Sequence, residues 1–243
     1  MNILSFDDLD STNIRALEMA GAGVAPETVI WAQRQTAGRG QQGRRFASPP
    51  GGLYFSLLLQ PNLVPEQLPL VTLAAGVGCC RIIEQHCDLQ VDLKWPNDLY
   101  CRHRKLGGIL TETTPVTGGG AVTVVVGVGI NVNTSVGEFP EEVRPLVTSV
   151  CTLTGKTFDL RSFLHFVVEE IIQQVQTLQR DPDKLLALWN EHDYCKGQAI
   201  KWVTGHHCIT GTGRGLLDDG RYSLEDRSGK IHAILAGRIQ PVL

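Results

Sequence analysis

The sequence predicts an α+β domain followed by a small C-terminal β-barrel, on two observations. Between residues 12 and 191, runs with helical spacing alternate with short apolar runs of strand length. From Gly197 onward the helical spacing stops, and short β-rich runs are punctuated by Gly205, Gly211, Gly213, Gly220, Gly229 and Gly237. The change falls near Tyr194, which sets the expected units at 1–194 and 195–243. About 47 residues of short strands is too little for a very stable independent core, so the barrel is expected to dock on the larger unit.

Each element has its own signal. Asp10-Ser11-Thr12-Asn13 supplies helix-capping residues ahead of Ile14 to Ala20, and Gly21 and Gly23 end that first helix. Val29 to Gln33 reads as a strand, a Gly/Arg-rich loop covers Thr36 to Arg45, and Leu53 to Leu59 is a further strand. Leu68 to His86 has helical spacing, weakened by Gly76 and Gly78. Leu93 to Trp95 ends a strand at Pro96, with Asn97-Asp98 as a turn. Leu99 to Cys101 and Leu106 to Glu112 suggest a hairpin, and Val122 to Asn133 another strand. Helices are expected over Leu160 to Leu178 and Pro182 to Glu191, the first with an apolar stripe of Phe163, Phe166, Val167, Ile171 and Val175.

Composition excludes several classes. Hydrophobic residues at 42% and charged residues at 19% describe an ordinary globular chain of 243 residues. A net charge of −3 gives no global field toward nucleic acid or anionic lipid. The most apolar stretch, Val122 to Ile130, is too short to span a bilayer, and the N-terminus carries early acids rather than a secretory pattern. Seven cysteines without a Cys-x-x-Cys pair suggest reduced, buried thiols. These features point to a cytoplasmic protein with no membrane and no DNA partner. One local exception is the cluster Arg34, Arg39, Arg44 and Arg45, without an intervening acid, which suits a small anionic ligand.

Five segments can carry chemistry. In Gly38-Arg39-Gly40-Gln41-Gln42-Gly43-Arg44-Arg45 the glycines allow close backbone approach, and the arginines supply forked donors for carboxylate or phosphate. It lacks the Gly-Lys-Ser/Thr of a Walker loop and the helix of a dinucleotide fingerprint; alone, it reads equally as a solvated basic turn. Lys94-Trp95-Pro96-Asn97-Asp98 presents a cation, an aromatic face and a carboxamide at a strand end; taken alone it reads more readily as a strand-to-turn junction with Trp95 in the core. Lys105 opens the apolar run Leu106-Gly107-Gly108-Ile109-Leu110, where partial burial makes its charge valuable to an anion, although a hairpin-flanking lysine is the plainer reading. Gly127 and Gly129 in an apolar strand mark close approach by a ligand or backbone, with Asn131 as a polar contact. Ser11-Thr12-Asn13 combines capping with hydroxyls available to a ligand. The His206-His207 pair has no expected role.

Taken in order, Asp-Ser-Thr-Asn, Gln-Thr-Ala-Gly-Arg-Gly, Lys-Trp-Pro-Asn-Asp, Arg-Lys-Leu-Gly-Gly-Ile-Leu and Gly-Ile-Asn-Val-Asn resemble the biotin protein ligase (biotin–[acetyl-CoA-carboxylase] ligase) family over essentially the full chain. Lys-Gly-Gln-Ala-Ile near Gly197 and Ala-Gly-Arg-Ile near Gly237 resemble its C-terminal part. The resemblance implies a mixed sheet flanked by helices, related to class II aminoacyl-tRNA synthetases, with an SH3-like barrel. It implies ATP-dependent formation of biotinoyl-5′-AMP and transfer of biotin to a lysine of the biotin carboxyl carrier protein. Biotin and MgATP are the expected substrates, with no metal site built from protein ligands. The implied biotin contacts are Ser11, Thr12, Asn13, Gln35, Arg39, Gly40, Gln41, Lys105, Gly107 and Gly108, with Arg39 and Lys105 as the catalytic cations. The implied ATP side is Arg44, Arg45, Phe46, Lys94, Trp95, Asn97 and Asn131.

The family loop usually reads Gly-Arg-Gly-Arg-x-Gly-Arg; here Gln41 takes the place of its second arginine, and Arg238 stands where an acid is more usual. Repressor-type members carry an N-terminal winged helix-turn-helix, and the stand-alone form is the expectation here. A homodimer is left open. Two other readings also stay open: a lipoate or octanoate protein ligase, and a non-catalytic sensor of biotin or its adenylate.

Overall fold

β1 (Asn2–Leu9) and β2 (Thr28–Gln35) lie parallel, Ile3 beside Val29 and Phe6 beside Ala32, with α1 (Thr12–Gly21) crossing between them. The computed structural model describes residues 1–114, 122–204 and 207–242. β1 was not expected from the sequence. It is an edge strand, largely exposed on alternate residues, and Asp7-Asp8 hides the apolar period.

β3 (Leu53–Leu59) pairs antiparallel with β2 and with β7 (Val124–Ile130). Beyond β7 come β6 (Arg104–Thr113), β5 (Asp98–Cys101) and β4 (Asp92–Lys94), which complete a seven-stranded mixed sheet in the order β1-β2-β3-β7-β6-β5-β4. β3 and β7 are buried along their whole length, which explains their continuous apolar runs. The last residues of the expected Val122–Asn133 strand leave the sheet after Ile130.

Side chains alternate across a strand, so the two faces of β7 meet different neighbours. Val124, Val126, Val128 and Ile130 join the main core, together with α2 (Leu70–Cys87), α4 (Leu160–Arg180) and α5 (Pro182–Glu191). Val125 packs on the opposite face with Ile30, Leu58 and Ala16 of α1. Gly127 and Gly129 share that second face, and the absence of side chains there opens space beside α1.

The glycines that weakened the α2 expectation serve close packing. A Cβ on Gly78 would stand 3.1 Å from Ile171 Cα of α4, and one on Gly76 would stand 3.2 Å from Leu93. In α4 the stripe holds except at Phe166, which is 40% exposed and stacks on His86 with ring centroids 4.4 Å apart; Leu164 and Val168 take the inward places instead. α3 (Val150–Thr154), capped by Ser149, was also not expected. Its five residues are too few to show a helical period.

The C-terminal region forms a separate five-stranded antiparallel sheet. Its strands are β8 (Ala199–Thr204), β9 (His207–Leu216), β10 (Tyr222–Asp226), β11 (Ile231–Ile234) and β12 (Arg238–Pro241), in the order β11-β10-β9-β8-β12. Gly205 and His206 lie outside the described residues. This sheet docks as expected of so small a unit. Trp95 Nε1 donates to Gly220 O at 3.2 Å, and the Trp95 and Tyr222 rings lie 6.1 Å apart. Tyr222 Oη donates to Asp193 at 2.9 Å, where burial raises the Asp193 pKa. Ile200, Tyr222, Leu224, Ile234 and Ile239 belong to the same apolar cluster as the main sheet.

Among the described residues no helix is long and apolar enough to cross a membrane. All seven cysteines are free; Cys151 is partly exposed and Cys208 exposed, the others buried.

Candidate active site

The face of β7 left open by Gly127 and Gly129 forms the floor of a cavity of about 180 Å³. One wall is the start of α1, with Ser11, Thr12 and Asn13. A second is the Gly/Arg loop, with Arg39, Gly40, Gln41, Arg44, Arg45 and Phe46. The third comes from Asn97 and Asp98 at the head of β5 and from Lys105 and Gly108 of β6. Gln35, at the end of β2, closes the corner between α1 and the loop.

Local sequence explains these placements. Ser11 occupies the N-cap position of α1, but its side chain makes no capping hydrogen bond; it is 1% exposed and lines the cavity. Thr12 hydroxyl and amide both donate to Gln35 Oε1, at 3.2 and 2.9 Å, and Gln35 Nε2 donates to Ser48 at 2.8 Å. Asn13 is a scaffold residue as much as a wall. Its amide donates to Leu110 O at 3.1 Å and to Glu112 at 3.0 Å, while Ser56 hydroxyl stands 2.6 Å from its Oδ1. A Cβ on Gly127 would fall 1.8 Å from that oxygen, and a Cβ on Gly129 would fall 2.5 Å from the Phe46 ring. These two glycines are therefore required by what leans on them.

The Gly/Arg loop is folded back on itself. Gly40 N donates to Arg44 O at 2.7 Å, Phe46 N donates to Gly38 O at 2.8 Å, and Gln42 sits in the left-handed region at φ 56°. Gly38 has no room for a side chain, since a Cβ would meet Phe46 O at 2.5 Å. Arg45 donates to Thr36 O at 2.8 Å, which ties the returning limb to the outgoing one.

Two cations stand ready at the cavity, each held by a carboxylate. Lys105 Nζ lies 2.5 Å from Asp98 Oδ1, and Arg39 lies 3.1 Å from Glu112 Oε1. The Lys105 ammonium also stands 5.8 Å from the centroid of the Phe46 ring. Arg39 and Lys105 were expected from the sequence; the carboxylates that hold them were not. Glu112 was legible in principle, since β6 alternation puts it on the face of Gly108 and Leu110. Ser56 was hidden inside an apolar run.

A second cleft opens beside the cavity and shares Gln35, Arg45, Phe46 and Lys105 with it. Gly107 and Asn131 line this cleft rather than the cavity, together with Phe139 and Val143. Asn131 is buried; its Nδ2 donates to Thr148 O at 2.9 Å, and its Oδ1 has no partner. The structure does not bring Lys94 or Trp95 to either space. Trp95 is 6% exposed and forms the seam with the C-terminal sheet. Lys94 donates to Tyr100 Oη at 3.3 Å and lies 5.0 Å over its ring, and burial pulls its pKa below the usual lysine value. Asn97 lines the cavity, and its amide is also used internally, donating to Ile109 O at 2.7 Å. Arg238, on β12, hydrogen-bonds Gln240 of the same strand once that amide is oriented to accept.

Residues 6–131 match the model of the Biotin/lipoate A/B protein ligase family. The bifunctional ligase/repressor BirA of Bacillus subtilis is 32% identical over 232 residues, 94% of this chain and 70% of that protein. The biotin–[acetyl-CoA-carboxylase] ligase of Paracoccus denitrificans is 33% identical, over 91% of this chain and 93% of its own. The solved biotin protein ligase from Aquifex aeolicus in complex with biotin and ATP superposes with a TM-score of 0.86 at 31% identity, covering 98% of this chain and 97% of that one. Fold and sequence agree, and the chain belongs to the Biotin/lipoate A/B protein ligase family, among its biotin protein ligases.

Proposed function

We propose that this protein activates biotin with ATP to biotinoyl-5′-AMP and transfers the biotinoyl group to a lysine of the biotin carboxyl carrier protein of acetyl-CoA carboxylase. The observation that carries the mechanism is the pair of carboxylate-held cations, Arg39 and Lys105, at one small cavity floored by glycine. Biotin carboxylate and the α-phosphate of ATP must meet although both are anionic. Two unit charges at 4 Å repel by about 4 kcal/mol at an effective dielectric of 20, so fixed positive charge is needed at the meeting point.

Ser11, Thr12 and Gln35 form the polar end that takes the biotin ring system, and Gly108 lets the β6 backbone lie against it. Lys105 and Arg39 exchange their internal carboxylate partners for the biotin carboxylate and the α-phosphate. Asp98 and Glu112 hold those cations in place beforehand. Such preorganised charge stabilises the transition state without a reorganisation cost at the moment of reaction. The carboxylate oxygen attacks the α-phosphorus, the α–β bridging bond breaks, and pyrophosphate leaves with Mg²⁺ as its counter-ion. Mg²⁺ enters as part of MgATP in this reading. The acceptor amine then attacks the biotinoyl carbonyl, AMP leaves, and the ammonium proton passes to solvent. No protein nucleophile takes part; catalysis is positioning and electrostatics.

The nucleoside occupies the second cleft. The unpartnered Asn131 Oδ1 fits the exocyclic amine of adenine, which has hydrogens to donate. Arg44 at the cavity, with Arg45 and Phe46 between the two spaces, serves the phosphates and the ribose side. Lys94 and Trp95 act through support of β5 and the C-terminal sheet. Residues 1–194 form the catalytic unit and 195–243 an SH3-like module, and the main sheet is related to that of class II aminoacyl-tRNA synthetases. The protein is cytoplasmic, and a homodimer stays open.

ATP–pyrophosphate exchange tests the substrate. Biotin should support exchange, and lipoate or octanoate should not. Exchange driven by octanoate or lipoate in preference to biotin would overturn the assignment.

A further inference from the structure

On the opposite face of the main sheet from the cavity, three side chains turn toward one backbone unit. Cys80 and Glu84 are four residues apart on α2, so they stand on one face, one turn above the other. His192 follows the last residue of α5. Cys80 Sγ lies 3.3 Å from Val91 O, His192 Nδ1 lies 3.2 Å from the same oxygen, and Glu84 Oε1 accepts from Val91 N at 3.1 Å. His192 Nδ1 and Glu84 Oε1 are 3.6 Å apart, and the three ligand atoms all fall within 4.8 Å of one another.

We propose that Cys80, Glu84 and His192 form a binding site for a divalent transition-metal ion, with Zn²⁺ as the best fit. The set combines one thiolate, one imidazole and one carboxylate, all common ligands of that ion at about 2.0–2.3 Å. In a tetrahedron of such bonds the ligand atoms stand roughly 3.3–3.8 Å apart, a spacing the Glu84–His192 pair already has. Cys80 is buried and fixed on the helix, while Glu84 and His192 are half-buried and can rotate the small remaining distance. The Val91 carbonyl oxygen, 3.3 Å from Cys80 Sγ and 3.2 Å from His192 Nδ1, is the group nearest the fourth position. Hard cations are disfavoured, because a thiolate suits Zn²⁺ better than Mg²⁺ or Ca²⁺.

Binding replaces the Cys80 S–H bond with a metal–sulfur bond and releases that proton to buffer. The ion would then clamp the C-terminal turn of α2 to the end of α5, beside the His192 O to Leu93 N hydrogen bond that joins α5 to β4. Its role is structural, at the seam from which the chain passes into the C-terminal sheet.

The test uses the full-length protein, stripped with chelator, in a Cys208→Ser background that removes the exposed thiol. Titration with Zn²⁺ should show one equivalent bound at submicromolar dissociation constant and a melting temperature that rises with Zn²⁺. Co²⁺ should give a thiolate charge-transfer band. Cys80→Ser should abolish that band, and the half-buried substitution His192→Gln should weaken Zn²⁺ binding at least tenfold while keeping the circular dichroism spectrum and biotin activation. No stoichiometric Zn²⁺ binding, or binding and a Co²⁺ spectrum unchanged in both variants, would overturn the proposal.

Discussion

Lys105→Ala removes a charge and also exposes one. In the native site the Lys105 ammonium stands 2.5 Å from Asp98 Oδ1, so it both offers attraction to an incoming anion and masks a carboxylate. The attraction between unit charges at 4 Å is about 4 kcal/mol at an effective dielectric of 20. The Lys105 side chain is 31% exposed, and solvent screening brings the expected loss in adenylation to about 3 kcal/mol, roughly 150-fold. Part of that loss is repulsion from the unmasked Asp98. Lys105→Ala/Asp98→Asn should therefore recover roughly tenfold, about 1.4 kcal/mol, over the single variant. Asp98→Asn alone should be slower than the native protein, because it leaves Lys105 without its anchor. Single-turnover formation of biotinoyl-AMP measures all four proteins, with circular dichroism as the fold control. Native-like rates for Lys105→Ala would refute the role of the cation. A double variant no faster than Lys105→Ala would refute the masking by Asp98.

Three further outcomes follow from the same geometry. Gln41 lines the cavity without a charge, and a charge-assisted hydrogen bond is roughly 1–2 kcal/mol stronger than a neutral one. Gln41→Arg should therefore slow stopped-flow release of biotinoyl-AMP by about 5- to 30-fold; equal or faster release would mean another residue closes the loop. Gly127→Ala puts a carbon where Asn13 Oδ1 stands and should cost about 2–4 kcal/mol, read as a lower denaturation midpoint; an unchanged midpoint would contradict the close approach. Trp95→Phe removes the donor to Gly220 O and should cost about 1–3 kcal/mol of stability with little change in KM for ATP. A large rise in that KM at native stability would instead make Trp95 a nucleotide contact.

What was legible in the sequence depended on whether the signal was local. β3 and α5 were readable to the residue, because one is an apolar run broken only by Ser56 and the other starts after Asp181 at Pro182 and ends with its helical stripe. β1 was not, since its pairing with β2 rather than any apolar period makes it a strand. At the site, the Gly/Arg loop, Ser11-Thr12-Asn13 and Lys105 announced themselves by residue type, and the structure brings them to one cavity. Glu112 and Ser56 did not, because their roles come from partners far along the chain, Arg39 and Asn13. Lys-Trp-Pro-Asn-Asp showed both limits. Asn97 and Asp98 reach the cavity, whereas Trp95 faces the C-terminal sheet, whose position no local pattern in the motif reveals.

These cations serve a transfer reaction rather than mere retention of biotin or its adenylate. The most direct measurement incubates the protein with labelled biotin, MgATP and the biotin carboxyl carrier domain of acetyl-CoA carboxylase, and follows label on the carrier. Covalent label should form, should require ATP, and should disappear when the acceptor lysine is replaced by arginine. Accumulation of biotinoyl-AMP on the protein with no enzyme-dependent label on the carrier would contradict the transfer role.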